Sequence, residues 1–362
     1  MKGSGVWIVW LVSLAAIAQE TPEGRFEEEL VVTEVLLDVQ VTDKRGNVII
    51  GLGADDFKVV DDGEPVTIDS VTFYSSRKLQ GSAESLERHG MTVDQIPEDR
   101  YVIIFFQQQR RASSEVPGLL SRQMEAAEQS REWLGQELLP RDWVAVVTYD
   151  NRLQVVQDFT RDVEALQAAV RQAARGYSGD GDWPSRRPAE SEGPSLFNEL
   201  PEGKALGKQT TNIYTGLQVL ARAAGAIQGR KILLFFGRGF GDISAFGSWQ
   251  PDRRYHQSTL DALNDNNVAV YTLDVMPQST RRHTFEESLD AIAAETGGES
   301  YRYFTTFLVP LRQVSDANSG YYLLSYQSSK PPGAKGFQRV KVSTRNPELT
   351  VRARQGYLIE DE

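Results

Sequence analysis

Short apolar runs recur along the middle of this chain, and segments with helical spacing separate them. The runs cover residues 101–106, 143–149, 231–236 and 268–273, and a fifth follows at 321–326. Strands that are apolar on both faces belong to the interior of a parallel sheet that helices cover on both sides. The alternation therefore predicts an α/β fold with a doubly wound, Rossmann-like domain over residues 98–318.

The segments between the runs carry apolar residues at intervals of three and four, which is the spacing of one helix face. Four groups keep this spacing: Leu120, Met124, Ala127, Leu134 and Leu138; Val163, Leu166 and Val170; Ile213, Leu217, Leu220 and Ala224; Leu289, Ile292 and Ala293. Gly297-Gly298 ends the last group. Residues 177–209 are rich in Gly, Pro, Ser and charge, and we expect no regular element there. That stretch is either a surface loop at the binding end of the sheet or a variable, mobile insertion.

Both ends of the chain alternate apolar and polar residues, as half-buried antiparallel strands do. The pattern covers residues 27–76, for example at Val35, Leu37 and Val39, and returns over residues 320–358. A sheet of a few strands exposes too much apolar surface to be stable alone. We therefore predict that the two ends form one Ig-like β-sandwich, into which the α/β domain is inserted, with residues 77–97 as a linker.

The first 18 residues have the three parts of a secretory signal peptide. Lys2 precedes an apolar stretch at residues 6–16, and Ala16-Ile17-Ala18 forms a cleavage site. The apolar stretch is shorter than the about 17–25 residues of a membrane-spanning helix. We expect an exported protein, periplasmic or extracellular, without stable membrane insertion, and an uncleaved anchor helix is the alternative.

Composition restricts the partners and the chemistry. The net charge is −11, and loss of Lys2 with the signal would make it more negative. Such a balance repels phosphate backbones, which argues against nucleic acid as a partner. The chain has no cysteine, which excludes disulfides and a thiolate nucleophile.

Several motifs resemble those of the von Willebrand factor A-related (VWA) proteins of bacteria, an exported group with an A-type domain between flanking β segments. They are Val39-Gln40-Val41-Thr42-Asp43, Asp55-Asp56-Phe57, the run from Asp142 to Tyr149 with Asp158-Phe159-Thr160, Thr211-Asn212-Ile213-Tyr214, Gly229-Arg230-Lys231, Ala293 to Gly298, and Tyr321 to Tyr326 with Gln355-Gly356-Tyr357. The resemblance implies a VWA-like fold for the middle of the chain. It carries much less information about function.

The resemblance also implies a metal-ion-dependent adhesion site (MIDAS) built from an Asp-x-Ser-x-Ser loop, a threonine and a later aspartate. The matching positions here are Gln107, Gln109, Arg111, Thr211 and Arg238. A divalent cation about 4 Å from a guanidinium would be repelled by roughly 8 kcal/mol at an effective dielectric constant of about 20. We therefore predict a degenerate site with no metal and no other cofactor. Displaced ligands at Asp150, Asp242 or Asp274 are the alternative, although a surface carboxylate satisfied by water or a backbone N–H is the simpler interpretation of each.

Arg238 then has two interpretations. Its fixed charge, joined by Arg111, could replace the cation and receive a carboxylate of a partner protein. It could equally be solvated or paired within the chain. We take Gln107, Gln109, Arg111, Thr211, Arg238 and Asp242 as the candidate partner-binding residues.

Catalytic signals are sparse. The histidines, His89, His256 and His283, lie in polar contexts without the spacing of a metal-binding helix, and we expect them on the surface. Gly237-x-Gly239-x-Gly241 lacks the further residues of a phosphate-binding loop. The acid pairs Asp55-Asp56 and Asp61-Asp62 fit turns better than a calcium site.

Aromatic residues in two loops are candidates for partner contacts. Trp183, Phe246 and Trp249 either anchor an interface or pack under their own loops. With no catalytic constellation in the sequence, we predict a non-enzymatic protein–protein interaction module. The alternatives are metal-dependent adhesion, a structural envelope component, and a hydrolase with an unrecognised acid pair.

Overall fold

The structure is a computed structural model, and it describes residues 34–75, 99–108, 116–175, 193–277, 283–328, 330 and 335–359, all within the compact unit Val32–Glu362. Its strands are β1 (Glu34–Thr42), β2 (Phe57–Asp61), β3 (Glu64–Val66), β4 (Ile68–Ser75), β5 (Arg100–Gln107), β6 (Asp142–Tyr149), β7 (Leu153–Thr160), β8 (Lys231–Gly237), β9 (Asp242–Ile243), β10 (Trp249–Gln250), β11 (Val268–Asp274), β12 (Ser300–Tyr301), β13 (Gly320–Gln327), β14 (Gly336–Thr344), β15 (Thr350–Ala353) and β16 (Gly356–Ile359). The helices are α1 (Val116–Glu137), α2 (Val163–Arg175), α3 (Gly203–Gln209), α4 (Ile213–Gly225), α5 (His256–Asp265), α6 (Glu286–Glu295) and α7 (Leu308–Ala317).

A six-stranded mixed sheet forms the centre of the α/β part, in the order β12-β11-β8-β5-β6-β7. Neighbouring strands are parallel except for β7, which runs antiparallel to β6 at one edge. The α/β class predicted from the apolar runs is confirmed. The antiparallel edge strand was not predicted, because Leu153–Thr160 is only partly buried and lacks a continuous apolar run.

Alternate residues of β5 feed two separate hydrophobic clusters, one on each face of the sheet. Ile103 and Phe105 belong to one cluster, and Val102, Ile104 and Phe106 belong to the other. Two stacked ring pairs tie β5 to β8, with centroid distances of 5.2 Å for Phe105–Phe235 and 4.9 Å for Phe106–Phe236. Burial on both faces explains why these strands are apolar throughout.

Helices occupy the four segments with helical spacing, and the described residues form three further helices that were not predicted. One of them, α3, lies within residues 177–209, where we expected no regular element, so that expectation is wrong for its last seven residues. Leu206 is the buried residue of α3, and Thr210 closes the helix by donating to the Leu206 carbonyl. A single apolar anchor in so short a helix leaves no periodic signal. Residues 176–192 lie outside the described part of the chain.

Strands from the two ends of the chain pair with each other. One sheet has the order β15-β1-β13-β4, so N-terminal β1 lies between two C-terminal strands. The other has the order β16-β14-β2-β3. Side chains of both sheets, including Leu37, Phe57, Tyr322 and Val340, contribute to one hydrophobic cluster. Antiparallel pairing buries the alternating apolar residues of each strand on one face.

The predicted signal peptide at residues 1–18 and the whole of the predicted linker at 77–97 lie outside the described residues. Among the helices that are described, none is long and apolar enough to cross a membrane.

Lys231 is buried at the start of β8, close to the N-terminal strand β1. Only 2% of the residue is exposed, and its ammonium donates to the carbonyl of Ile227 at 2.9 Å. Burial lowers the pKa of Lys231 to about 8, although the carboxylate of Asp38 partly opposes the shift. Below pH 8 the folded protein must bury a charge that the unfolded chain keeps in water.

A pH dependence follows from this burial. The unfolded chain holds the Lys231 proton up to about pH 10.5, so it binds more protons than the folded state between pH 8 and pH 10.5, and stability rises with pH there. Met at position 231 carries no titrating group, so the Lys231→Met variant lacks this effect. Between pH 7 and pH 10, we expect the unfolding free energy of the wild type to rise by about 2 kcal/mol relative to that of Lys231→Met. Urea denaturation of both proteins at the two pH values measures this difference, and a constant difference would contradict the prediction.

Candidate functional site

The carboxyl ends of the central strands meet at one edge of the sheet. Gln107 at the end of β5 lies opposite Tyr149 of β6, and Asp274 of β11 lies opposite Gly237 of β8. A cleft of about 380 Å³ opens there. Its lining includes Gln107, Gln108, Tyr149, Asp150, Asn212, Tyr214, Arg238, Asp242, Asp252 and Phe285. Doubly wound sheets bind ligands at this edge, which makes the cleft the candidate site.

Gln107 links the end of β5 to the loop that follows β8. Its side-chain nitrogen donates to the Gly239 carbonyl at 3.0 Å, and its oxygen accepts from the Arg238 backbone N–H at 3.1 Å. A Cβ at Gly237 would lie 2.4 Å from that oxygen, so only glycine permits the approach. Both ends of the carboxamide therefore hold the two loops together.

Gln108 and Gln123 form a second polar link below the cleft, which the sequence did not reveal. Gln108 donates to the Thr148 hydroxyl at 3.0 Å and accepts from Gln123 at 3.1 Å. Gln123 also donates to the Ala174 carbonyl at 3.0 Å, at the C-terminal end of α2. Gln123 is buried on α1, and a polar residue on the apolar face of that helix is the signal that would have identified it.

Arg238 is half-buried and lines the cleft together with Gln107 and Asp242. The structure thus brings together three of the six candidate residues. The centre of the Arg238 guanidinium lies 5.8 Å from the centroid of the Phe285 ring, at the range of a cation–π contact. Asp150 also lines the cleft, which therefore carries charges of both signs.

The remaining candidate residues are placed differently. Thr211 is exposed and lies beside the cleft lining, where its neighbour Asn212 takes part instead. Asn212 caps α4 by accepting from the Thr215 N–H at 2.9 Å. Gln109 and Arg111 lie outside the described residues.

Asp274 and His283 form a buried pair, which corrects the expectation that both lie on the surface. Their side chains are only 6% and 10% exposed, and the His283 Nε2 lies 2.9 Å from Asp274 Oδ2. Asp274 Oδ1 accepts from the Met276 N–H at 2.9 Å. Asp274 is buried because it ends β11 inside the sheet, beside Gly237.

The other histidines have different outcomes. His256 is half-buried, with its ring edge-on to Tyr214 and Trp249, and burial lowers its pKa. The predicted surface position is therefore wrong for His256 as well. His89 lies outside the described residues.

Asp252 at the cleft wall is committed to an internal ion pair. Arg254 donates to its two oxygens at 3.1 and 2.9 Å, and these bonds hold the pKa of Asp252 below its usual value. The Asp252 N–H donates to the hydroxyl of Tyr214 at 3.3 Å. This carboxylate supports the wall of the cleft and stays ionised.

A short hairpin, β9–β10, stands beside the cleft and exposes two apolar side chains, Phe246 in its turn and Ile243 on β9. Phe246 is 97% exposed and Ile243 is 56% exposed. Trp249 is half-buried, and its indole N–H donates to the Phe240 carbonyl at 2.8 Å. Trp249 thus packs under its own loop, whereas Phe246 is free for contact, and Trp183 lies outside the described residues.

Potential metal ligands are dispersed among the side chains that the structure describes. Among them, no group of three or more His, Cys, Asp or Glu residues is arranged to hold a metal ion. The acid pairs of the β region serve the backbone or neighbouring side chains. Asp56 accepts from the Gly53 N–H at 2.9 Å, and Asp61 accepts from the Tyr357 hydroxyl at 2.8 Å.

Comparison with known proteins gives low similarity throughout. No protein-family model matches the chain, and no curated protein matches its sequence. Proximal thread matrix protein 1 from the mussel byssus has 14% identity and a TM-score of 0.38, covering 61% of this chain and 48% of that one. An aerotolerance-related membrane protein from Bacteroides fragilis NCTC 9343 has 12% identity and a TM-score of 0.35, covering 60% and 98%. The vWF domain of the pili tip protein Mfa5 from Porphyromonas gingivalis has 14% identity and a TM-score of 0.25, covering 40% and 39%. The match thus spans about half the length of the mussel protein.

Proposed function

We propose that this chain is an exported, non-enzymatic protein-interaction module that binds a partner at the cleft and the β9–β10 hairpin. The observation that carries the proposal is a polar cleft beside two exposed apolar side chains of the hairpin, Phe246 and Ile243. Exposed apolar groups beside polar ones mark protein-binding surfaces, and aromatic residues are the usual anchors.

The proposed architecture is a VWA-like α/β domain inserted into a β-sandwich. Pairing of β1 with β13 and β15 supports it, because strands before and after the α/β part then share one sheet. The shared hydrophobic cluster of the two outer sheets supports their packing face to face. In this arrangement the sandwich carries the α/β domain and leaves its carboxyl edge open.

We further propose that recognition at this edge needs no metal ion. The residues present do not fit one: the Gln107 oxygen already accepts from the Arg238 N–H, and the Arg238 guanidinium lines the same cleft. Arginine has no lone pair to offer a metal. The alternative of displaced acidic ligands is weakened at Asp274, whose two oxygens contact Met276 and His283.

The charges of the cleft suggest what the partner presents. A guanidinium fork matches a carboxylate, so we propose that Arg238 receives an acidic side chain or a carboxyl terminus of the partner. Asp242 is exposed in the same lining and would accept a basic group. We therefore propose a partner segment that carries an acidic group for Arg238, a basic group for Asp242 and an apolar residue for Phe246.

The prediction that tests the module concerns Phe246 and Arg238. A photo-crosslinking residue at position 246 of the exported full chain should capture one partner, while the same residue at exposed Lys204 should not. With that partner in hand, Phe246→Ala and Arg238→Ala are each expected to weaken binding about thirtyfold, the level of an interface hot spot. Isothermal titration calorimetry with and without EDTA measures the affinity.

Leu36→Ala is the matched control, because Leu36 is also an exposed apolar residue but belongs to β1. It should leave the affinity unchanged. Wild-type affinity in both test variants would contradict the proposal and would favour a structural envelope role. Loss of binding in EDTA would instead favour metal-dependent adhesion.

A further inference from the structure

A second concave surface lies between β14 and β15, and the function proposed above does not use it. Its volume is about 680 Å³. Val342 and Val351 contribute apolar surface to it, and Gly297, after the end of α6, closes one side. The groove is large enough for several residues of an extended chain.

Two incompletely paired strand edges border the groove. On one side, β14 pairs with β2 along residues 340–344. On its other side, β14 pairs with β16 only over residues 336–339, and the Val340 N–H donates to the Gln355 carbonyl at 2.8 Å. Residues 341–344 have no strand partner on that side among the described residues. β15 pairs with β1 and ends its own sheet. Strand edges of this kind offer N–H and C=O groups to an added extended segment.

The charge of the groove is opposite to that of the whole chain. Four charged residues line it, Arg339, Lys341, Arg352 and Arg354, and the described lining holds no acidic residue. The chain as a whole has a net charge of −11. Acidic ligands would therefore meet a local field that the overall composition does not suggest.

Two of the four cations are committed to the fold. Arg352 pairs with Glu299 at 2.8 Å, and Arg354 donates to the Leu36 carbonyl at 2.8 Å. Arg339 and Lys341 are exposed and form no ion pair with the described residues. They are two positions apart on β14, which places them on one face about 6.8 Å apart. An extended peptide spaces its own alternate side chains by the same distance.

We propose that this groove binds an acidic, extended segment of a partner protein. Carboxylates at alternate positions of the segment pair with Arg339 and Lys341, and the groove's apolar surface at Val342 and Val351 covers the side chains between them. The strand edges favour a polypeptide over an anionic polysaccharide, because only a peptide backbone can complete their hydrogen bonds.

The test uses the full chain and three probes: a ten-residue peptide of alternating Glu and Val, the matching Lys and Val peptide, and polygalacturonate. Fluorescence anisotropy measures the binding of each labelled peptide. The binding of polygalacturonate is measured by its competition with the labelled acidic peptide. We expect the acidic peptide to bind, the basic one not to bind, and Arg339→Glu/Lys341→Glu to weaken the acidic peptide about tenfold or more. Raising the salt concentration should weaken binding as well.

Lys204→Glu/Lys208→Glu is the control, because it changes the charge equally at two exposed lysines of α3. It should retain wild-type affinity, and circular dichroism should show that both double variants are folded. If the two double variants lost affinity for the acidic peptide equally, the loss would come from the net charge of the protein and not from the groove, and the proposal would be overturned. Binding of polygalacturonate without the acidic peptide, or binding of neither, would overturn it too. These outcomes are independent of Phe246 and Arg238, so the groove and the cleft are tested separately.

Discussion

Replacement of Arg100 by alanine is expected to lower the free energy of unfolding by about 3–5 kcal/mol, because it leaves the buried carboxylate of Asp142 without its counterion. Arg100 at the start of β5 donates two hydrogen bonds, of 2.8 and 2.5 Å, to the carboxylate of Asp142 at the start of β6. The side chains are 5% and 0% exposed. A third group is held as well, since the guanidinium donates to the Ser315 carbonyl and hydroxyl, each at 3.1 Å.

In the variant, Asp142 would lose both guanidinium bonds at a position that is fully buried in the fold. Asp142 would keep one bond, from the Leu139 N–H at 2.8 Å, which cannot neutralise a buried charge. Since Ser315 lies on α7, loss of Arg100 would also remove the two hydrogen bonds that its guanidinium makes to that helix. Chemical denaturation at pH 7 measures the change.

Arg141→Ala provides the comparison, because Arg141 is an adjacent arginine whose ion pair with Asp99 is partly exposed. We expect that variant to lose less than about 1 kcal/mol. Similar losses in both variants would mean that burial does not set the strength of the Arg100–Asp142 pair.

The alternation of apolar runs and helical spacing was enough to predict four strands of the central sheet and four helices, because buried parallel strands must be apolar on both faces. The ion pair between Arg100 and Asp142, at the start of β5 and β6, could not be predicted in this way. Arg100 and Asp142 are 42 positions apart. Nothing in the local pattern says that parallel pairing of β5 and β6 sets them side by side, and only the register Arg100↔Asp142 does so.

The same limit explains the candidate site. Gln107 ends β5 and Arg238 follows β8. Both strands end at the same edge of the sheet, and for that reason the two residues could be placed together from the sequence. What Gln107 does there depends on the backbone groups of Arg238 and Gly239, whose positions no residue pattern encodes. Burial of Asp274 was missed for a similar reason. A carboxylate at the end of a strand is usually solvated, and no local pattern shows that His283, nine positions later, folds back onto this one.

Gly298→Ala is expected to destabilise the protein by about 3 kcal/mol or more, as overpacking against backbone does when neither side can move. Gly298 was recognised in the sequence only as a helix stop. In the structure its N–H donates to the Ala293 carbonyl at 2.9 Å, which caps α6. An added Cβ would lie 1.9 Å from the carbonyl oxygen of Val270, in the middle of β11.

Neither the Val270 backbone nor the turn that contains Gly298 can move apart to make room for the added Cβ. Val270 is fully buried and paired with Leu233 of β8, and its N–H is held by the Thr296 hydroxyl at 3.0 Å. The turn itself is held by Arg230, which donates to the Gly297 carbonyl at 2.8 Å. Gly53→Ala is the control, since its added Cβ meets nothing within 4 Å and its φ is −103°. Thermal and urea denaturation should separate the two variants clearly. A small loss at Gly298, equal to that at Gly53, would show that α6 can shift away from the sheet, and the carboxyl edge that α6 supports would then be adjustable rather than preformed.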